Sequence, residues 1–259
     1  MDTDRNALAA SSPGLSVQGP AGRVPPPRTP GQGHPSSCAL RPMAAEDLAF
    51  VVDEHLVHFP DGFFARLGRP YLTAYTRTYL TSRHARAYVA ESDGVAVGFL
   101  VGVTDPVAHR RHVLDEHGRG LALRACAALS VRPRLTLHFV RTRLGRYARK
   151  LLPRVREPRP APAPGISGAG VSAVLAHVVV STHIRSYGLG SALVQHFVQD
   201  AEAAGCARVC LVTTAGPGGA GPYYERLGWL RTDEHRTPEG RLMLTYEFPL
   251  RHRQRGTAP

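Results

Sequence analysis

Two rhythms of hydrophobic residues run along this chain after an arrhythmic start. Residues 1–36 are rich in Pro, Gly, Ser and Ala and hold almost no bulky apolar side chains. Such a stretch cannot offset its own ordering entropy, and disorder is expected there. Residues 39–42 read as a first short strand. Residues 44–58 follow with a helical period that points Leu48, Val51, Val52 and Leu56 inward. Phe59-Pro60-Asp61-Gly62 breaks that helix, and residues 63–80 read as a second one with an aromatic stripe of Phe64, Tyr71, Tyr75 and Tyr79. Residues 87–91 and 95–102 are apolar runs around Ser92-Asp93-Gly94, a hairpin signal. Further on, the β-branched run Val178-Val179-Val180 ends in a polar turn. A helix follows with Leu189, Leu193, Phe197 and Ala201 on one side, and Gly205 is its stop signal. Residues 206–214 read as a buried strand, 215–221 as a Gly/Pro/Ala loop, and 222–229 as a short helix ending at Gly228-Trp229.

The segment from Val178 to Leu193 carries the most chemistry. A strand, a tight turn and a helix start aim backbone N–H groups at one point, and such a point binds phosphate. Gly188 and Gly190 remove two β-carbons where the backbone curls and meets a ligand. The helix dipole adds about half a positive charge, and Arg185 adds a full one. The loop is not a Gly-Lys-Ser/Thr triphosphate loop. Nor is it the dinucleotide pattern, because Leu193 stands where a third glycine belongs and no acidic ribose partner follows.

Arg185-Ser186-Tyr187-Gly188-Leu189-Gly190 reads Arg-x-x-Gly-x-Gly and resembles the acyl-CoA pyrophosphate loop of the GNAT superfamily, the Gcn5-related N-acetyltransferases. Pro222-Tyr223-Tyr224-Glu225-Arg226-Leu227-Gly228-Trp229 looks like the motif that closes that fold. The order of strand, two helices, hairpin and strand into a phosphate turn is similar too. The likeness covers about residues 38–104 and 171–248. It implies an α/β (α+β) GNAT fold: a mixed central sheet of about seven strands, helices on both faces, and splayed strands at the acyl-CoA site. The sequence departs from the family pattern at Pro217, where Asn is common, at Thr182, where Pro is common, and at Tyr187, where Arg or Lys is common.

The resemblance also implies a mechanism. Residues 172–180 splay from residues 206–214, and the pantetheine arm pairs in the gap as a pseudo-strand. Val178, Val179 and Val180 line that gap. The Val178 N–H meets the thioester oxygen, a contact worth about 3 kcal/mol in the transition state, and Val180 bonds the pantetheine amide. Arg185, Ser186, Tyr187, Gly188, Leu189, Gly190 and Ser191 hold the pyrophosphate. Tyr224 protonates the departing thiolate, while Tyr223 and Trp229 are read as core aromatics. Phe59, Asp61 and Phe63 are expected in the wall of the acceptor pocket. The amine attacks acetyl-CoA directly in a ternary complex. No base stands at Val174 or Ala176, where relatives carry one. His177 is expected on the opposite face by the period-two rule; Asp61, Glu91, Asp105 and His183 are weaker candidates.

Composition adjusts this picture in three ways. The formal charge is +12, and Lys150 is the only lysine. The Arg bias, with abundant Ala, Gly, Pro and Val, suggests a GC-rich bacterial genome. No charged-then-apolar leader and no apolar run near the roughly eighteen residues of a membrane span appear, so the chain is read as cytoplasmic. The four cysteines are scattered, and the thirteen histidines are dispersed without zinc spacing. The cysteines are read as buried thiols, the histidines as surface imidazoles, and no metal is expected.

Residues 106–165 interrupt the GNAT order and hold most of the excess arginine. Leu137, Val140, Leu144 and Leu151-Leu152 suggest an amphipathic helix within 135–152, after an apolar run over 121–129, and 153–165 reads as a Pro/Ala linker. This insertion reads as a solvated helical lid, as a docking face for an anionic membrane surface, or as a site for an acidic acceptor or nucleic acid. Its scarcity of aromatics argues against base stacking. The expected organisation is therefore a tail over residues 1–36, one acetyltransferase domain over 37–250 with the insertion, and a flexible end over 251–259, as a monomer or homodimer. The expected activity is N-acetyl transfer from acetyl-CoA to a small-molecule amine: an amino sugar, amino acid or antibiotic-like amine. Protein N-acetylation and a non-catalytic acyl-CoA-binding regulatory module are the alternatives.

Overall fold

The computed structural model describes residues 37–139, 170–181, 188–217, 219–237 and 240–250. The expectations for 1–36, for the helix beyond residue 139, for the 153–165 linker and for 251–259 lie outside the described residues. Seven strands form one sheet in the order β1-β2-β3-β4-β5-β7-β6. They are β1 (Cys38–Pro42), β2 (Ala85–Ser92), β3 (Val95–Val103), β4 (Ser172–Val180), β5 (Arg208–Thr214), β6 (Leu230–Arg236) and β7 (Leu242–Pro249). All neighbouring pairs are antiparallel except β4 and β5, which run parallel. The β2–β3 hairpin turns at Asp93 and Gly94, both at positive φ, the conformation that favours Asp-Gly in two-residue turns.

Each face of the sheet buries its own core. On one face, α7 (Leu189–Ala203) lays Leu189, Leu193, Phe197 and Ala201 against Leu100, Ala173, Leu175 and Leu211. On the other, α1 (Leu48–His58) and α3 (Arg69–Thr81) pack Val51 and Tyr79 against Val89, Phe99, Val101 and Val179. The single second helix expected over 63–80 is two. α2 (Phe63–Leu67) ends at Gly68, which sits at φ +97°, and Pro70 restarts the chain in the first turn of α3.

The insertion begins as three helical pieces among the described residues: α4 (Pro106–His112), a π turn (Val113–His117) and α5 (Gly118–Ser130), followed by α6 (Pro133–Phe139). Its described part is docked rather than free. Leu121 and Leu135 join Phe63, Leu67 and Tyr71 in a third cluster, and Arg132 donates to the Leu67 carbonyl at 2.8 Å. Arg110, Arg111, Arg119 and Arg124 face solvent. Cys38 and Cys126 are exposed, so the expected burial of every thiol fails for these two. No helix among the described residues is long and apolar enough to cross a membrane.

Gly102 in β3 faces α7 so closely that a Cβ there would lie 2.5 Å from the Phe197 ring. Gly102→Ala is expected to destabilise the protein by about 1–3 kcal/mol through overpacking. Urea unfolding checks this; an unchanged midpoint would mean that Phe197 moves aside without cost.

Candidate active site

β4 pairs with β3 from Val174 to Val180 but with one residue too many. Val101 stands opposite His177 and Gly102 opposite Leu175, leaving Ala176 as the surplus residue of a bulge. A bulge bends its strand and sharpens the local twist. On the other edge, pairing with β5 covers only Ser172↔Arg208, Ala173↔Val209 and Val174↔Cys210. Beyond Val174 the two parallel strands part into a wedge. The expected splay of residues 172–180 from the following strand is thus present, and it starts where the bulge begins.

The N–H groups on the wedge side follow from one hydrogen bond. Ser181 donates to the Val97 carbonyl of β3 at 2.7 Å. Peptide groups alternate sides along a strand, so Val179 also faces β3, while Val178 and Val180 face the wedge. The side chains of Val178 and Val180 pack on the α7 face, and that of Val179 on the α1 face.

At the end of β4 the chain re-enters the described residues at Gly188. Arg185, Ser186 and Tyr187, expected to hold the pyrophosphate, lie outside the described residues, as do Thr182 and His183. Gly188 is left-handed at φ +77° and caps α7. A Cβ there would meet nothing within 4 Å, so backbone conformation rather than space selects glycine. No side chain caps the helix and its first turn holds no acidic residue. The N–H groups of Leu189, Gly190 and Ser191 precede the first intrahelical bond, from Ala192 to Gly188, and with the helix dipole they form an electropositive end.

The short helix α8 (Gly221–Arg226) brings two tyrosines to this region. Tyr223, read as a core aromatic, is only half-buried; its hydroxyl lies 3.2 Å from Ser191 Oγ and near Gly190. It therefore borders the α7 N-terminus. Tyr224 is 0% exposed, packed against Tyr223, Trp229 and Tyr246. Its hydroxyl has no hydrogen-bond partner among the described residues. Burial raises its pKa well above the ordinary tyrosine value, so it stays a neutral donor. Trp229 is buried, as expected of a core aromatic.

Residues 161–229 match the model of the Acetyltransferase (GNAT) family. Over that stretch the chain is similar to GNAT acetyltransferases. Solved structures share its fold. The ribosomal-protein-S18-alanine N-acetyltransferase from Escherichia coli is 12% identical, with 86% of this chain and 100% of that one covered at a TM-score of 0.50. The N-acetyltransferase from Staphylococcus aureus Mu50 is 13% identical, with 83% of this chain and 100% of that one covered at 0.50. No curated protein matches the sequence.

The α1 side of β4 differs from expectation. The period-two rule put His177 on the face opposite Val174 and Ala176. The bulge at Ala176 breaks the alternation, so His177 shares their face and packs on His55 and Phe59 with ring centroids 4.6 and 5.1 Å away. Phe59 and Phe63 are packed into two separate cores. Asp61 is exposed and pairs with Arg241 at 3.5 Å, which ties the α1–α2 break to the residue preceding β7. Two of the weaker base candidates have other work. Glu91 accepts from Arg41 at 2.8 Å, and Asp105 caps α4 by accepting from Val107 and Ala108. The histidines are not all dispersed: His112, Glu116 and His117 come together on the insertion.

His55 is buried, and desolvation lowers its pKa from 6.5 to about 4. Its folded pKa lies below its unfolded value, so the unfolded chain binds the extra proton between those limits. Its contribution is complete above about pH 6.5 and is lost as pH falls towards 4, up to roughly 3 kcal/mol at 1.36 kcal/mol per unit. Denaturant melts from pH 7 to 4 are expected to show this slope, and His55→Leu to flatten it; an equal slope in the variant would refute the assignment.

Proposed function

We propose that the protein transfers an acetyl group from acetyl-CoA to the amine of a small molecule, an amino sugar, amino acid or antibiotic-like amine, within a ternary complex. The observation that carries this reading is the wedge. The Val178 N–H faces into it, and it opens towards the uncapped start of α7. These groups fit the two polar ends of an acyl-CoA: an amide donor for the thioester oxygen and a helix terminus for the diphosphate. The orphaned hydroxyl of Tyr224 fits too. A buried hydroxyl without a partner costs about 1–3 kcal/mol, and a sulfur arriving at the wedge would relieve that cost.

Acetyl-CoA supplies the activated acetyl carbon, and the chain does the rest. The Val178 N–H donates to the carbonyl oxygen as negative charge grows on it. Val179 holds the strand against β3, and Val180 presents its backbone to the pantetheine arm. Gly188, Leu189, Gly190 and Ser191, with Arg185, Ser186 and Tyr187 before them, hold the diphosphate. Tyr224 gives its phenolic proton to the thiolate as the C–S bond breaks and the C–N bond forms. The amine enters from the α1–α2 side, past Asp61, with Phe59 and Phe63 as packed backing. The proton that the amine sheds passes to water, and water returns one to the Tyr224 phenolate once the thiol has left, so the relay requires no dedicated base.

Protein N-acetylation is the second reading. The Escherichia coli neighbour's name states that activity, and a shared fold serves either acceptor. Calorimetry with acetyl-CoA tests the core of the proposal. Binding is expected for the parent and is expected to vanish in Gly188→Asp, which strains a left-handed position and sets a carboxylate against the diphosphate. Undiminished binding would contradict the loop assignment. Thiol release over libraries of amines and peptides then separates the acceptors. Tyr224→Phe is expected to keep acetyl-CoA binding and slow turnover roughly a hundredfold, the scale of one general acid; unchanged turnover would remove Tyr224 from the reaction.

A further inference from the structure

Away from the wedge, at the joint where the insertion leaves β3, three side chains converge that acetyl transfer does not use. His112 ends α4, and Glu116 and His117 end the π turn. In an α-helix of 3.6 residues per turn, positions five apart diverge. The π turn closes i to i+5, which returns His117 to the side of His112. Their ring centroids are 5.4 Å apart at 69°. A metal bound to an imidazole at about 2.0–2.1 Å lies about 3 Å from the ring centre, so two rings sharing an ion sit roughly 5–6 Å apart.

The nitrogen atoms point the same way as the rings. Nε2 of His112 and Nε2 of His117 each lie 2.9 Å from one oxygen, Thr81 Oγ1 at the end of α3. On the far side of its ring, His112 Nδ1 lies 3.1 Å from a Glu116 carboxylate oxygen. A carboxylate on the second nitrogen is the arrangement that orients metal-binding imidazoles and raises their basicity. One ligand atom from each of His112, Glu116 and His117 can be chosen so that all lie within 4.8 Å of one another. Glu116 and His117 also line a cleft of about 660 Å³ between α3 and α5, with Arg69, Arg77, Leu121 and Arg124 on its walls. That cleft supplies the entry path and the solvent that a bound ion needs.

We propose that His112 and His117 bind one divalent transition-metal ion of the zinc class through their Nε2 atoms. Imidazole donors suit zinc, nickel and copper. Thr81 rotates its hydroxyl away as the ion enters, Glu116 stays on His112 Nδ1, and water or an anion from the cleft completes the shell. Arg69 is already paired with Asp53, and Glu116 offsets part of the remaining arginine charge. The ion ties the two ends of the π turn together and stiffens the joint between the sheet and the insertion. His109, a further imidazole, has its ring centroid 6.5 Å from that of His112 and stacks on Tyr79 instead.

The test uses the full chain, freed of metal with a chelator and titrated calorimetrically with zinc chloride. One equivalent present in the parent is expected to be missing from both His112→Ala and His117→Ala. Glu116→Gln is expected to weaken it about tenfold, as removal of an outer-shell partner does. Thr81→Val, which removes the competing hydroxyl and cannot ligate, is expected to keep it. Circular dichroism checks folding, and where an alanine variant does not fold, His112→Gln or His117→Gln replaces it. Cobalt chloride gives an independent readout, a visible ligand-field band in the parent that both histidine variants lose. Equal stoichiometry and affinity in parent and histidine variants would overturn the proposal, as would loss of binding in Thr81→Val. Neither readout depends on acetyl transfer.

Discussion

The ladder between β4 and β5 stops after Val174, beside the point where β4 carries one residue more than β3 can pair. A sheet is stable because each strand satisfies its neighbours' peptide groups, and separating two central strands gives up such bonds. Here β3 holds one edge of β4 through Val180, so the strand keeps its place while its other edge turns towards the wedge. The bulge at Ala176 supplies the bend. If Ala176 were accommodated without it, the Val178 peptide would change sides and face β3.

The two cores explain why the opening does not collapse the sheet. α7 seats Leu193 and Phe197 on one face, close enough that Gly102 must lack a side chain. α1 and α3 cover the other face, and the insertion braces α2 and α3 in turn. The same packing aims the start of α7 at the end of β4. The positive end of that helix's dipole and the β4 edge beside the wedge thereby come to one corner of the fold, a juxtaposition that neither element makes alone.

Much of this was legible from residue order. The Val178–Leu193 segment encodes strand, glycine turn and amphipathic helix within local spacing, and the Asp93-Gly94 hairpin is equally local. Other features were not legible for physical reasons. Leu230–Arg236 is a polar, mostly exposed edge strand, so it lacks the alternation that marks a half-buried one. Ala176 and His177 are both buried whether or not a bulge intervenes, and only the register with β3 turns His177 to the α1 face. The His112–His117 pairing depends on a π turn, which sequence period does not announce. A trace was present nonetheless: His109, His112 and Glu116 recur at helical spacing.

Amide hydrogen exchange resolved at Val178 and Val179 tests the wedge most directly. In the free protein Val178 should exchange much faster than Val179, whose N–H lies in the β3 ladder. Saturating acetyl-CoA should then slow Val178 selectively. Equal protection of the two amides without ligand, or a Val178 rate unmoved by acetyl-CoA, would contradict the account.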